Sequence, residues 1–271
     1  MRLIDFHTHA FPDSLAGKAI PFLEEEGGLE ACLDGRLSSL EESMDRVGIE
    51  TSIVASIATR PDQFSSILSW SRDIASDRFI PFPSIHPDHP DVLDQIEKIR
   101  REGLKGIKMH PYYQGFLLDE ERMFPIYERI AHCGLILLMH TGFDLAFKRD
   151  RLADPERILR VLDTIPTLKL VASHLGAWDD WDQVERHLLG REIYMDVSYS
   201  MEFMEWLQAR RFLLSHPEEY LLFGTDSPWG DQEETYRLIV GMDLGEERLA
   251  ALFYGNASRL LGLEAGRRGQ A

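Results

Sequence analysis

Short apolar runs rich in β-branched residues alternate along this chain with longer stretches whose apolar positions recur every three or four residues. A short apolar run between turn signals marks a strand, and the i, i+3, i+4 spacing marks an amphipathic helix. Eight runs of the first kind occur, at residues 3–9, 52–57, 79–85, 106–110, 135–140, 169–174, 193–198 and 221–226. Helical spacing predicts helices over 37–47, 63–76, 92–101, 123–133, 155–164, 183–188, 201–214 and 233–240, with a closing pair near 249–254 and 257–261. Asp154 before Pro155 reads as an N-cap with proline at the first helical position. Gly48, Gly103 and Gly134 each follow a helical run, where a left-handed residue ends a helix.

Strands separated by crossover helices pair in parallel with right-handed connections. Eight such units within 271 residues leave little spare chain. The expected fold is therefore α/β, a closed (β/α)8 TIM barrel forming a single domain over residues 1–271, in preference to an open doubly wound sheet. One connection departs from the tight spacing. The 27 residues from Ala10 to Arg36 separate the first strand from its helix. A connection of that length acts as a lid or carries a small element of its own. No repeat and no low-complexity tract precedes the polar tail from Arg267 to Ala271.

Charge narrows the partners. The chain carries 29 Lys+Arg against 46 Asp+Glu, a net −17, which argues against a nucleic-acid partner, because a phosphate backbone requires clustered cations. No apolar run approaches the roughly 20 residues that span a bilayer, so no membrane partner is expected. Cys32 and Cys133 are too few for a disulfide framework and too far apart for a zinc cluster, and read as reduced thiols. The opening Met1-Arg2-Leu3-Ile4-Asp5 shows no apolar signal region. A cytoplasmic protein acting on a small-molecule substrate is the expectation.

In a barrel of this kind the active site lies where the strands end at their C-terminal side. The first strand ends Asp5-Phe6-His7-Thr8-His9, the fifth His140-Thr141-Gly142, the sixth Ser173-His174-Leu175-Gly176 and the eighth Gly224-Thr225-Asp226-Ser227-Pro228. His7 and His9 are two apart and share a face. With His140 and Asp226 they would complete a site for Zn²⁺ or another divalent first-row ion, which lowers the pKa of bound water towards about 7. The fourth strand ends Gly106-Ile107-Lys108-Met109-His110-Pro111. Lys108 in such a site is neutral, carboxylated by CO₂, or turned to an anion. Carboxylated, it bridges two ions, the second held by His140 and His174; as an amine, it anchors a substrate carboxylate or pairs with Asp226. One or two ions per chain are consistent with these residues. His110 either contacts substrate or shapes the Pro111 turn.

Aromatic residues near the strand ends, Tyr112 and Trp178 among them, are placed to pack on a planar or apolar substrate or to pack the loops on one another. Arg60 beyond the second strand is a candidate for a substrate carboxylate, as are Lys148 and Arg151 beyond the fifth. His86 is placed near the mouth, and His132, His187 and His216 fall on helical stretches and read as surface residues.

The ordered set of strand-end motifs, closed by Gly255-Asn256-Ala257-Ser258-Arg259-Leu260-Leu261, resembles the amidohydrolase superfamily of metal-dependent hydrolases. The resemblance is to its amidohydrolase-2 branch, which includes aminocarboxymuconate semialdehyde decarboxylase, and runs from residue 4 to about 262. It implies His7, His9, His140 and Asp226 as metal ligands and Asp226 as proton shuttle. It implies that His174 binds a second metal or holds the nucleophilic water, and it gives Lys108 the bridging role of the two-metal members. It also implies pairing as a homodimer through the outer helices. Two activities compete: hydrolysis, in which metal-bound hydroxide attacks an amide, lactone or ester carbonyl, and non-oxidative decarboxylation of an aromatic or enol acid. A binding protein with a vestigial site is disfavoured by the intact ligand set. A related nuclease is disfavoured by the charge.

Overall fold

The computed structural model describes residues 1–263; the polar tail from Arg267 to Ala271 lies outside the described residues. All eight expected strands form: β1 (Ile4–Thr8), β2 (Thr51–Ala55), β3 (Phe79–Phe82), β4 (Gly106–Met109), β5 (Ile136–Met139), β6 (Lys169–Ala172), β7 (Tyr194–Asp196) and β8 (Leu221–Leu222). They pair in parallel in the orders β1-β2-β3 and β4-β5-β6-β7-β8. Backbone hydrogen bonds close the two seams. Lys108 N–H donates to the Pro83 carbonyl at 2.9 Å beside a parallel bridge from Ser84 to Lys108, and Phe6 N–H donates to the Phe223 carbonyl at 2.7 Å below a bridge from Thr8 to Ser227. The ring returns to its first strand, so the sheet is the closed (β/α)8 TIM barrel that the sequence predicts.

The strands are shorter than the apolar runs at their C-terminal ends. His9, His110, His140, His174 and Asp226 have left the ladder there. The pairing of β1 with β2 also shifts register between Asp5 and Thr8, an irregularity of the kind that re-aims side chains beside a site.

The helices in chain order are α1 (Asp13–Gly27), α2 (Leu37–Val47), α3 (Phe64–Ile74), α4 (Val92–Arg101), α5 (Pro111–Gln114) and α6 (Phe124–His132). Then follow α7 (Pro155–Thr164), α8 (Trp181–His187), α9 (Trp206–Ser215), α10 (Gln232–Val240), α11 (Glu246–Ala250) and α12 (Asn256–Leu261). The Asp154 carboxylate accepts from Glu156 N–H and Arg157 N–H, so α7 starts where the cap predicts. α9 starts later than its apolar spacing suggests, because the Glu205 carboxylate caps Gln208 N–H at 3.0 Å. Of the histidines expected at the surface, His216 is buried instead. Its imidazole Nε2–H donates to the Ile193 carbonyl at 2.8 Å, which offsets the cost of taking the ring out of water.

Two apolar clusters divide the interior. One lies between strands and helices and includes Leu137, Met139, Ile107 and Phe212. The other fills the barrel with Phe6, Phe82, Ile136, Leu138 and Leu222, and α12 packs on it through Ala257 and Leu261. The long connection after β1 carries α1, ended by Gly28 in the left-handed region, and returns to pair Phe11 with Arg36. Among the described residues no helix is long and apolar enough to cross a membrane.

Candidate metal centre and active site

A cavity of about 960 Å³ opens at the C-terminal ends of the strands, with His7, His9, Lys108, His140, His174 and Asp226 on its floor. One Asp226 oxygen, Oδ1, lies 3.1 Å from His9 Nε2 and 3.3 Å from His7 Nε2. Two donors on one tetrahedral ion at 2.0–2.1 Å are about 3.3 Å apart. Lys108 Nζ is 2.9 Å from His7 Nε2, and His174 Nε2 is 3.0 Å from His140 Nδ1.

The remaining ring nitrogens decide how these contacts are read. His7 Nδ1 donates to Asp196 Oδ2 at 3.1 Å, His9 Nδ1 to the Ala55 carbonyl at 2.8 Å and His174 Nδ1 to the Ser198 carbonyl at 3.0 Å. His140 faces the Phe143 carbonyl with Nε2 at 3.2 Å. With those hydrogens committed, assigned from the network, each ring turns a lone pair inward. Lone pairs then face a carboxylate at Asp226 and face each other between His140 and His174. Such an arrangement is repulsive until a cation lies among them, and imidazole held by an outer carboxylate or carbonyl is how proteins present metal ligands. The donor set fits divalent metal, and His7, His9 and Asp226 form a group able to hold one ion.

Electrostatics agree with the geometry. Burial brings His7 down to about 4, with the Lys108 charge adding to the effect. Burial, reinforced by neighbouring cationic side chains, holds His110 and His140 well below the ordinary imidazole value. All three rings are therefore neutral at pH 7. Burial opposes ionisation of Asp226, and its carboxyl is held well below its usual range when the facing imidazoles, His7 foremost, carry positive charge, a charge that a bound cation would supply in their place. Asp196 is held low against burial chiefly by His7. Burial lowers Lys108 to about 8.

Backbone conformation marks the same region. His174, Tyr199 and Asp226 have φ of 61°, 47° and 63°, the left-handed region that non-glycine residues rarely occupy. Such conformations persist only where surrounding structure imposes them. Gly142 has φ 89°, and a Cβ there would lie 2.0 Å from Trp178 N, so only glycine lets the loop after β5 pair with the loop after β6.

On the β4–β5 side His110 stacks on His140 at 3.9 Å between centroids, its Nε2 is 3.3 Å from Asp144 Oδ2, and its buried Nδ1 has no partner among the described residues. Trp178 lines the cavity, its indole N–H donating to the Tyr199 carbonyl at 3.0 Å. Arg60 lies exposed at the cavity edge, beside Asp62 at 3.3 Å. Tyr112 is placed differently. Its hydroxyl is spent on the Gly142 and Asp150 carbonyls, and the neighbouring Tyr113 lines the cavity in its place. Arg151 is taken up by both oxygens of Asp180, and His86 Nδ1 accepts from Asp88 N–H away from the cavity wall.

Sequence reasoning missed Asp144, Asp196 and Ser198. Asp196 ends β7, so the rule applied to the other strand ends would have found it. Ser198 Oγ donates to Asp196 Oδ1 and lies 2.9 Å from His7 Nδ1. Asp144 follows a strand-end histidine by four residues, in a loop whose course no local pattern reveals.

The family model described as amidohydrolase, of the amidohydrolase-2 branch, matches residues 4–263. The chain belongs to the amidohydrolase family. It is thus an enzyme of that superfamily, whose amidohydrolase-2 branch contains both hydrolases and decarboxylases. Among solved structures, a TIM-barrel protein from Bordetella bronchiseptica matches with a TM-score of 0.77 at 20% identity, over 97% of this chain and 99% of that one. The 5-carboxyvanillate decarboxylase of Sphingomonas paucimobilis matches with a TM-score of 0.70 at 14% identity, over 96% and 99%. These likenesses support the barrel. A curated relative, the dihydroorotase of Marinomonas sp. (strain MWYL1), is 25% identical over 120 residues, 41% of this chain. The match spans 35% of that relative's length.

Proposed function

We propose that this chain is a metal-dependent hydrolase that cleaves an amide, lactone or ester bond of a small molecule, with two Zn²⁺ ions as its resident cofactor. The position of Lys108 carries this reading. Its Nζ lies against a metal-facing nitrogen, 2.9 Å from His7 Nε2, on a side chain that is 1% exposed. An ammonium there repels a divalent ion. The amine after reaction with CO₂ is an anion that two ions can share. His7, His9 and Asp226 would hold one ion, and His140 with His174 the other. Single-metal decarboxylation requires no such bridge.

Bound ions would polarise the carbonyl and lower the pKa of water. Asp226, ionised at neutral pH, accepts a proton from the attacking water and passes it to the leaving group. Asp196 fixes the tautomer of His7, and Ser198 that of His174. His110, backed by Asp144, presents a polar ring edge to a bound substrate.

Metal analysis by plasma mass spectrometry, on protein purified without chelator or metal-affinity tag, should return about two ions per chain. Turnover of neutral esters, lactones or amides should accompany them. About one ion per chain, with CO₂ released from aromatic or enol acids under anaerobic, cofactor-free conditions, would replace this reading with the decarboxylase.

A further inference from the structure

The roof of the cavity is larger and more apolar than cleavage of one bond requires. α1 turns Leu15, Ala19, Phe22 and Leu23 towards the cavity, the i, i+4, i+7 and i+8 positions of one helical stripe. The adjoining stripe, Ala16 and Ile20, is buried and anchors the helix. α3 lines the same cavity with Ile67 and Trp70, and the connection after β5 adds Leu145 and Phe147. Leu15 and Phe22 are 47% and 58% exposed. Large apolar side chains left in water around a cavity are surface that a ligand covers.

The charges say what kind of ligand. Among the described residues the cations lining the cavity are Lys18, Arg60 and Lys108. Lys18 and Arg60 are exposed, Arg60 beside Asp62, and Lys108 lies within the metal donor set. The roof therefore holds no buried cation set aside for a carboxylate. Glu26 and Asp144, which also line the cavity, disfavour an anion further.

We infer that the groove between α1 and α3 is the specificity pocket for an uncharged, elongated apolar group of the substrate, joined to the bond cleaved at the floor. Its link to catalysis rests on the hydrolase reading; binding in the groove does not. The pocket continues into the metal donors without a partition, so the group that fills it belongs to the substrate.

Binding is tested with straight-chain primary alcohols from butanol to octanol, read by tryptophan fluorescence of the enzyme as isolated. Each added methylene should tighten binding about fourfold. Replacing both Leu15→Ser and Phe22→Ser should reduce that step to about twofold or less, with circular dichroism confirming the fold. Binding independent of chain length overturns the assignment. So does a sedimentation coefficient that falls in the double variant while alcohol binding stays independent of length, the signature of a second copy seated on the groove. Hydrolysis is then followed on p-nitrophenyl esters from acetate to octanoate, each giving acid and phenol with uptake of water. Rising kcat/KM with acyl length supports the pocket. Length-dependent alcohol binding without hydrolysis of any ester, lactone or amide supports the pocket and overturns the hydrolase reading.

Discussion

At the floor of the cavity each of His7, His9 and His174 has one nitrogen tied to a carboxylate or carbonyl before any ligand arrives. At the roof Leu15 and Phe22 stand largely in water on a helix carried by a connection. The floor is set on strand ends, where barrel pairing fixes the backbone and outer hydrogen bonds fix the rings. Chemistry that depends on tenths of an ångström is built there. The roof asks only for apolar area, which tolerates movement, and it is mounted where the chain can vary without disturbing the barrel.

That contrast predicts effects of very different size. Asp226→Asn should lower turnover by about 10³-fold or more while circular dichroism stays unchanged, since it removes the charge and the basicity of the carboxylate that faces His7 and His9. Retained turnover would remove the floor from the chemistry. Leu138→Ala, inside the barrel beneath His140, should cost about 2–5 kcal/mol in urea unfolding through the cavity it leaves. Asp196→Ala removes the outer partner of His7 and should weaken metal binding roughly 10–100-fold in chelator competition. An unchanged affinity would make Asp196 a packing residue.

Acid should separate the two regions as well. Unfolded imidazoles take up protons near pH 6.5, whereas folded His7 does so only near 4 and His110 and His140 lie well below their ordinary value. Between those limits the unfolded chain binds more protons, so the metal-free protein loses stability as pH falls from 6.5 towards 5. The loss is about 1.4 kcal/mol per pH unit for each ring. Asp5 opposes it, because burial pushes its carboxyl up to about 7 and the folded state then gains the proton. Three rings outweigh one carboxyl, and the urea midpoint of metal-free protein should be lower at pH 5 than at pH 7. A midpoint that rises would reverse the assignment of neutral rings. The smallest effect belongs to the roof: Phe22→Ser should change stability by no more than about 0.5 kcal/mol, because the ring is already in water.

Much of this molecule is legible from local pattern. The eight apolar runs and the bounds of α2, α4 and α7 follow from periodicity and capping, which involve neighbours only a few residues away. The metal-facing residues are legible because parallel strands carry their C-terminal residues to one end. What escapes is set by distant partners. His216 is buried by a carbonyl 23 residues away, and Tyr112 is drawn off the cavity by carbonyls 30 and 38 residues on. The connection at 10–36 carries α1, a helix absent from those that spacing predicts, and nothing local says that one face of it will look into a cavity.

The sequence by itself determined the order of the strands and of the helices other than α1 and α5, and which strand ends carry imidazole, amine and carboxylate, since those depend on periodicity and chain order. Only the tertiary structure decided which nitrogen of each ring faces inward. That choice is made by Asp196, Ala55 and Ser198, which lie 189, 46 and 24 residues from the rings they hold. A hydrogen bond reads distance in space, and closure of the barrel is what brings these groups together.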